Sequence, residues 1–359
     1  MIIIKVYNYI YFNFILLYFF NIKKKKHNKA VKIHRIYSGI FYYIPMKHIL
    51  ITGSAGFIGT NLCIRLLEDP NNFVYGVDNY LTSLPNDFNS IKHPRYQFIK
   101  CDIINEINLL SNIEHIDEIY NLASIASPPK YKMYPIETLD VNIIGTRNVL
   151  DLAVKHRSKF ILTSTSEVYG DPLEHPQKET YYGNVNTVGE RSCYDESKRC
   201  AETYVYEYRR KTGMDLKICR IFNTYGPYMD INDGRVITNF IKNILINKPV
   251  EICGDGNQTR SFCFIDDMLN GLMLLMASDE AGPMNLGNPN TEFTLNELHA
   301  LFEELLCITI HKKYIGLTEN DPKCRKPDIT MANKNIGFNP TCTLKEGIRK
   351  TFMFYASSK

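Results

Sequence analysis

Residues 46–59 read MKHILITGSAGFIG. The run 47–52 is apolar and β-branched, which suits a buried strand. Gly53, Gly56 and Gly59 follow at the spacing G-x-x-G-x-x-G and lead into an amphipathic stretch over 57–68. A strand that turns through glycines into a helix opens a dinucleotide-binding unit. The glycines allow a tight turn, close backbone approach to a pyrophosphate, and close packing of helix on strand. The phosphate then faces free N–H groups at a helix N-terminus, whose dipole favours an anion. Alone, such a turn is a weak signal, because structural turns use the same residues.

Outward from this turn, short apolar runs alternate with helical ones. Strands are expected at 73–78, 96–101, 117–122, 159–165 and 215–222, and helices at 135–156 and 194–211. This alternation predicts a parallel sheet covered by helices on both faces. After Phe222 the rhythm breaks, and Gly, Pro and Asn become frequent (NTYGPYMDINDGR, 223–235). The expected fold is α/β. A Rossmann-type doubly wound parallel sheet, the dinucleotide-binding domain, occupies 47–222, and a smaller C-terminal substrate-binding α/β domain occupies 223–359.

The chain has 359 residues, 45% hydrophobic and 22% charged, which is ordinary for a globular protein. The formal charge of +4 is unevenly spread. Residues 1–46 hold eight Lys/Arg and no Asp or Glu, so the rest carries −4. The basic balance belongs to this extension and does not imply a nucleic-acid surface on the folded body. The ten cysteines form no C-x-x-C pair and no zinc-spaced cluster, so neither disulfides nor a metal are expected.

Residues 1–20, MIIIKVYNYIYFNFILLYFF, are apolar and aromatic, and a lysine tract follows at 23–26. A membrane anchor of the secretory pathway is one reading, although Lys5, Asn8 and Asn13 interrupt the run. A cleaved secretory signal would put its basic residues before the apolar run, not after it. The third reading, which we favour, starts translation at Met46 and leaves a cytoplasmic protein. In each case residues 1–46 lie outside the fold.

Two acids strengthen the dinucleotide reading. Asp78 ends the second strand, where a carboxylate accepts the ribose hydroxyls, and Asp102 follows the third, where it meets the adenine amino group. An acid at Asp78 repels a 2′-phosphate and favours NAD over NADP. Tyr194 and Lys198 stand four apart at the start of a helix and share a face. A lysine beside a phenol lowers its pKa, so the phenolate can take a proton from a sugar hydroxyl as hydride leaves the same carbon. A Tyr-x-x-x-Lys pair is common on exposed helices. Here it lies downstream of a strand ending in Thr163-Ser164-Thr165-Ser166-Glu167, which delivers hydroxyls to the same edge of the sheet.

The runs STSEVYGDPLEHPQ (164–177), CYDESKRCAET (193–203), RIFNTYGPYM (220–229), NDGRVITNFI (232–241), GDGNQTRSFCFIDD (254–267), NLGNP (285–289) and DPKCRKPDI (321–329) carry a resemblance. From Met46 to about Tyr355 the chain resembles the UDP-glucuronate decarboxylases, extended short-chain dehydrogenases/reductases that make UDP-xylose. Its relatives the dTDP-glucose 4,6-dehydratases carry an Asp-Glu pair after the catalytic threonine. Here the pair is Ser166-Glu167. A serine there removes a negative charge that would repel a glucuronate.

The resemblance implies a set of roles. NAD is held by Gly53, Gly56, Phe57, Ile58, Gly59, Asp78, Asn79, Asp102, Ile103, Leu122 and Ala123, together with Tyr194 and Lys198. The catalytic set is Thr165, Ser166, Glu167, Tyr194, Lys198 and Arg325. The UDP-sugar is held by Asn223, Arg235 and Arg260, with Arg325 at the substrate carboxylate. Arg325 lies between Pro322 and Pro327, which restrain its backbone. A homodimer through two long helices is also implied. The chain departs from the family at Ser54, Tyr182, Thr187, Cys253 and Cys263. A same-fold rival is a 4,6-dehydratase or an epimerase, and a closer one is a decarboxylase that rearranges the sugar or stops at the 4-keto pentose. From another class comes a regulator that only binds NAD or a nucleotide sugar, but it would not need Thr165, Tyr194 and Lys198 together.

Overall fold

The strand predicted at 47–52 is β1 (Lys47–Thr52), and its Ile49, Leu50 and Ile51 are wholly buried. The computed structural model describes residues 45–83, 93–316 and 324–357. The N-terminal extension of the anchor and start-site readings lies outside the described residues over 1–44, as does Pro322.

From β1 the chain turns into α1 (Phe57–Leu67), which buries Gly59, Thr60, Leu62, Cys63, Leu66 and Leu67 at helical spacing. Next come β2 (Asn72–Asp78), β3 (Tyr96–Lys100) and β4 (Glu118–Asn121). The helix expected over 135–156 is broken in character. After α2 (Pro128–Met133), α3 (Pro135–Asp140) passes through a π-helical turn, Val141–Gly145, into α4 (Thr146–His156). Such a turn inserts one residue into the helical ladder. Then follow β5 (Lys159–Thr165), the long helix α5 (Ser192–Thr212) and β6 (Leu216–Ile221).

Beyond Phe222 the elements shorten. They are β7 (Thr224–Tyr225), α6 (Val236–Leu245), β8 (Val250–Cys253), β9 (Thr259–Ser261) and β10 (Cys263–Phe264). After them come α7 (Ile265–Ala277), β11 (Met284–Leu286), β12 (Glu292–Thr294), α8 (Leu295–Leu306) and β13 (Lys312–Ile315). The last are β14 (Cys324–Arg325), α9 (Thr330–Ile336) and α10 (Leu344–Ser357).

The central sheet has the order β11-β6-β5-β4-β1-β2-β3. Each neighbouring pair is parallel, with Thr52 opposite Asn121 and Thr165 opposite Ile221. The seventh strand comes from the stretch after Phe222, and it adds to the edge beyond β6. Alternate residues of the strands feed two cores. Ile49, Ile51, Val74 and Ile161 join residues of α1 and α7 on one face, while Leu50, Ile119, Phe160 and Leu162 join residues of α4 and α5 on the other. Both faces are therefore dry, which accounts for the near-continuous apolar strands. Sheet order reverses at β1, with β2 on one side and β4 on the other. The crevice outside the carboxyl ends of strands at such a switch is where ligands bind in this architecture.

Candidate active site

At the end of β1, Gly53 adopts φ 69°, and a Cβ there would come within 2.8 Å of the Ala123 nitrogen. A Cβ on Gly59 would meet the Gly53 carbonyl oxygen at 2.1 Å. The first position therefore needs left-handed backbone, and the last needs bare contact between α1 and the turn. Gly56 is the N-cap of α1, so the free N–H groups of Phe57, Ile58 and Gly59 open toward the crevice.

The second strand delivers Asp78 beside this turn. Its Oδ2 accepts from the Ala55 N–H at 3.1 Å, and its Oδ1 accepts from the Tyr80 N–H and the Ser83 hydroxyl at 2.8 Å each. Burial raises its pKa, and these donors oppose the rise. Asp102 accepts from Asn79 Nδ2 at 3.2 Å and from the Ile104 N–H at 2.9 Å. Asp78, Asn79, Asp102, Ile103, Leu122 and Ala123 all line one cleft of about 840 Å³. The glycines that exclude any Cβ, the open helix N-terminus and the fixed acid suit a dinucleotide with free ribose hydroxyls.

Thr165 ends β5, and its hydroxyl caps the following turn by accepting from the Glu167 N–H at 3.2 Å. The same hydroxyl favours ionisation of Tyr194, which is buried near the start of α5. Lys198, one turn on and 3% exposed, donates from Nζ to the Thr163 carbonyl at 2.9 Å and lies 6.0 Å from the Tyr194 ring centre. Burial pulls the Lys198 ammonium down to about 7, with Glu202 acting against the fall.

One expectation needs correction. Lys198 was to depress the Tyr194 pKa. In the structure burial raises it, and Thr165, Arg235 and Arg191 oppose the rise. Burial lets Lys198 lose its proton below the range in which a phenol ionises, so its charge is gone where Tyr194 would titrate.

Ser166 and Glu167 sit in the 3-10 turn after β5. Glu167 Oε2 receives two guanidiniums, Arg191 through Nη2 and Arg325 through Nη2, the latter at 3.1 Å. Arg325 is 1% exposed. It also donates to the Ser166 carbonyl and, at 3.1 Å, to the Gly170 carbonyl. It reaches this place on β14, which pairs with β9. The predicted substrate arginine thus lines the cleft while bracing the turn that carries Glu167.

Asn223, Arg235 and Arg260 line the same cleft. Arg235 caps α6 and donates to the Ala126 carbonyl at 2.9 Å, with Asp233 Oδ1 3.4 Å from its Nε. Arg260 lies on β9 and donates to the Thr259 carbonyl at 2.8 Å. Every predicted site residue falls within this one cleft.

Some residues of the site escaped the sequence reading. Tyr131, 2% exposed on α2, stacks on Tyr194 with ring centres 5.4 Å apart and planes 9° apart. Arg191 clamps Glu167 and lies 3.7 Å from Asp195, whose carboxyl is pushed up to about 6 by burial. Arg191 precedes Tyr194 by three residues, a proximity that could have flagged it. Tyr131 had no such signal, being one tyrosine of 24. Among the described residues no group of His, Cys, Asp and Glu is placed to hold a metal ion.

The model of the NAD dependent epimerase/dehydratase family matches residues 49–287. The chain is 48% identical over 301 residues to UDP-glucuronic acid decarboxylase 5 of Arabidopsis thaliana, covering 84% of this chain and 86% of the relative. It is 42% identical to UDP-glucuronic acid decarboxylase 1 of Danio rerio, over 86% of this chain and 73% of that one. Among solved structures it resembles a UDP-glucuronic acid 4-epimerase from Bacillus cereus in complex with UDP-glucuronic acid and NAD. That match has a TM-score of 0.78 and 27% identity, over 87% of this chain and all of the other (100%). A dTDP-glucose 4,6-dehydratase from Bacillus anthracis in complex with NAD matches with a TM-score of 0.77 and 25% identity, over 87% and 97% of the two chains.

Proposed function

The chain belongs to the NAD dependent epimerase/dehydratase family, and we propose that it converts UDP-glucuronate to UDP-xylose and CO2. The observation that carries this reading is the meeting, in one cleft, of the Thr165–Tyr194–Lys198 group with a Glu167 turn held by two arginines. The likeness to the plant and fish decarboxylases supports it.

The Gly53–Gly59 turn would hold NAD, and the bound cofactor would supply reversible hydride transfer at sugar C4. The chain's own groups do the rest. Tyr194 accepts the proton of the C4 hydroxyl, and Thr165 favours the ionised phenol. Oxidation leaves a ketone β to the carboxylate, so CO2 can depart with its electrons delocalised onto O4. Tyr194 and Thr165 then face the enolate oxygen as donors. One proton must be taken up at C5 in each turnover, with Ser166, Glu167 or water in the relay. Lys198 is the residue assigned to the nicotinamide ribose in this reading. Asn223, Arg235 and Arg260 suit the UDP end, since a guanidinium can fork onto phosphate oxygens. The stretch 223–359 supplies these three and Arg325, which fits a substrate-binding role for it.

Cytoplasmic location and a homodimer belong to the same proposal. Among the described residues no helix is long and apolar enough to cross a membrane. Size-exclusion chromatography with light scattering tests the dimer. Activity is tested by incubating the protein with UDP-glucuronate and following CO2 release. No release, with dTDP-glucose consumed instead, would replace this reading by a dehydratase.

A further inference from the structure

Arg191 is the N-cap of α5, three residues before Tyr194. Its carbonyl accepts from the Tyr194 N–H at 2.9 Å and the Asp195 N–H at 3.1 Å, so the first turn of the helix fixes its backbone. Its side chain lines the cleft and is 15% exposed. Nη2 donates to Glu167 Oε2, in the turn that follows Thr165. The guanidinium is thus tied to both elements that carry the reacting groups, the turn after β5 and the start of α5.

Arg325 meets the same carboxylate oxygen but is placed differently. Its side chain is 1% exposed, and its two Nη atoms serve the Ser166 carbonyl, the Gly170 carbonyl and Glu167. A turn toward a ligand would strand these acceptors, and stranding a buried polar group is costly. Of the two cations on Glu167, Arg191 is the one more open to the cleft.

The charges of the cluster do not cancel at the cleft wall. Glu167, Arg191 and Arg325 line it, and two cations with one anion leave one positive charge. Asp195 does not line the cleft. Its Oδ2 lies 3.7 Å from Arg191 Nε, beyond hydrogen-bond length, and its Oδ1 is buried without a hydrogen-bond partner among the described residues. UDP-glucuronate carries the complementary charge on C5, next to the carbon whose hydroxyl Tyr194 serves in the proposed reaction. A sugar with a hydroxymethyl group there carries none.

We propose that Arg191 meets the C5 carboxylate of the sugar and sets the preference for a uronate over a neutral sugar. The inference rests on the proposed decarboxylation and deepens it by naming what holds the group that leaves. A guanidinium carries five N–H donors in a planar fork, so it can keep Glu167 and meet a second carboxylate. Arg325 keeps its own hold on Glu167, so the turn stays in place while Arg191 is shared. In the reaction the bond from C5 to the carboxylate breaks, its electron pair passes through C4 to O4, and CO2 leaves neutral. Arg191 then has no partner on the sugar. Its grip therefore favours substrate over a decarboxylated product.

The test compares two ligands that differ by the carboxylate. KM for UDP-glucuronate and the inhibition constant of UDP-xylose are measured with NAD present. The proteins are wild type, Arg191→Met, Arg191→Lys and the double variant Arg191→Met/Asp195→Asn. Arg191→Met should raise the KM at least about tenfold, the worth of a charge-assisted hydrogen bond, and leave inhibition by UDP-xylose within about twofold. Arg191→Lys should recover part of the loss, since it keeps the charge without the fork. The double variant removes the acid that the lost cation would leave behind, so it should fold if the single variant does not, with the same selective loss. Where turnover is too slow for a KM, calorimetric titration of both ligands reads the same ratio. Equal weakening of both ligands, or of neither, beside a wild type that releases CO2 would overturn this inference alone. A wild type that releases no CO2 from UDP-glucuronate would instead overturn the reading on which it rests.

Discussion

Arg325 donates to Glu167 across 158 residues of sequence, from Nη2 to Oε2 at 3.1 Å. The contact ties the short strand β14 to the turn after β5, and it places a permanent cation under the residues that follow Thr165. The same guanidinium holds the Ser166 and Gly170 carbonyls. A planar fork can serve such spread acceptors at once, and an ammonium cannot copy it.

Removal of this arginine should therefore damage both structure and rate. Arg325→Ala leaves Glu167 with Arg191 as its remaining guanidinium, and stability should fall on the order of 3 kcal/mol, the usual cost of breaking a buried pair. Turnover of UDP-glucuronate should be crippled, and Arg325→Lys should restore little of it. Binding of UDP alone, measured calorimetrically, should be nearly unchanged. Wild-type turnover in Arg325→Lys would show that the fork is not needed.

Tyr194→Phe keeps the stack on Tyr131 but removes the proton acceptor. Turnover should drop by at least about a hundredfold, the usual worth of a positioned acid–base group. The amount of NAD that copurifies should hardly change. A near-normal rate would rule out this phenol as the base.

Lys198 makes a stability prediction with a definite sign. Its folded pKa is lowered to about 7 from 10.5. Between those values the unfolded chain binds more protons than the folded one, so the wild type gains stability as pH rises through that window. Below it the penalty is fully present. Lys198→Met removes the group, so its margin over wild type should be largest near pH 7 and shrink toward pH 10. Melting curves across that range test this. A margin that does not vary with pH would mean the ammonium is not desolvated.

Gly59→Ala examines the dinucleotide turn. The added methyl would press on the Gly53 carbonyl from 2.1 Å. Helix α1 must then move away from the turn, and the protein should lose bound NAD while its circular dichroism stays near normal. Retention of wild-type NAD after gel filtration would contradict the role given to this contact.

How much of this was legible in the sequence depends on where each signal sits. The runs at 47–52 and 159–165 match β1 and β5 because central parallel strands are dry on both faces and spell themselves as apolar stretches. Strand β11 has three residues, too few for any periodicity, so the sheet's seventh member went unseen. The cleft's glycines, acids and Tyr194–Lys198 pair were readable because each motif is local. The two arginines on Glu167 were not, since their contacts span 24 and 158 positions and leave no local pattern. The family resemblance named Arg325, but only the structure shows it bracing the Glu167 turn.

The central claim is the reaction itself. Mass spectrometry of the product from UDP-glucuronate and purified protein tests it most directly. The account predicts one UDP-pentose with the mass of UDP-xylose, one CO2 per substrate, and no net consumption of NAD. Unchanged substrate mass would contradict it and point to an epimerase.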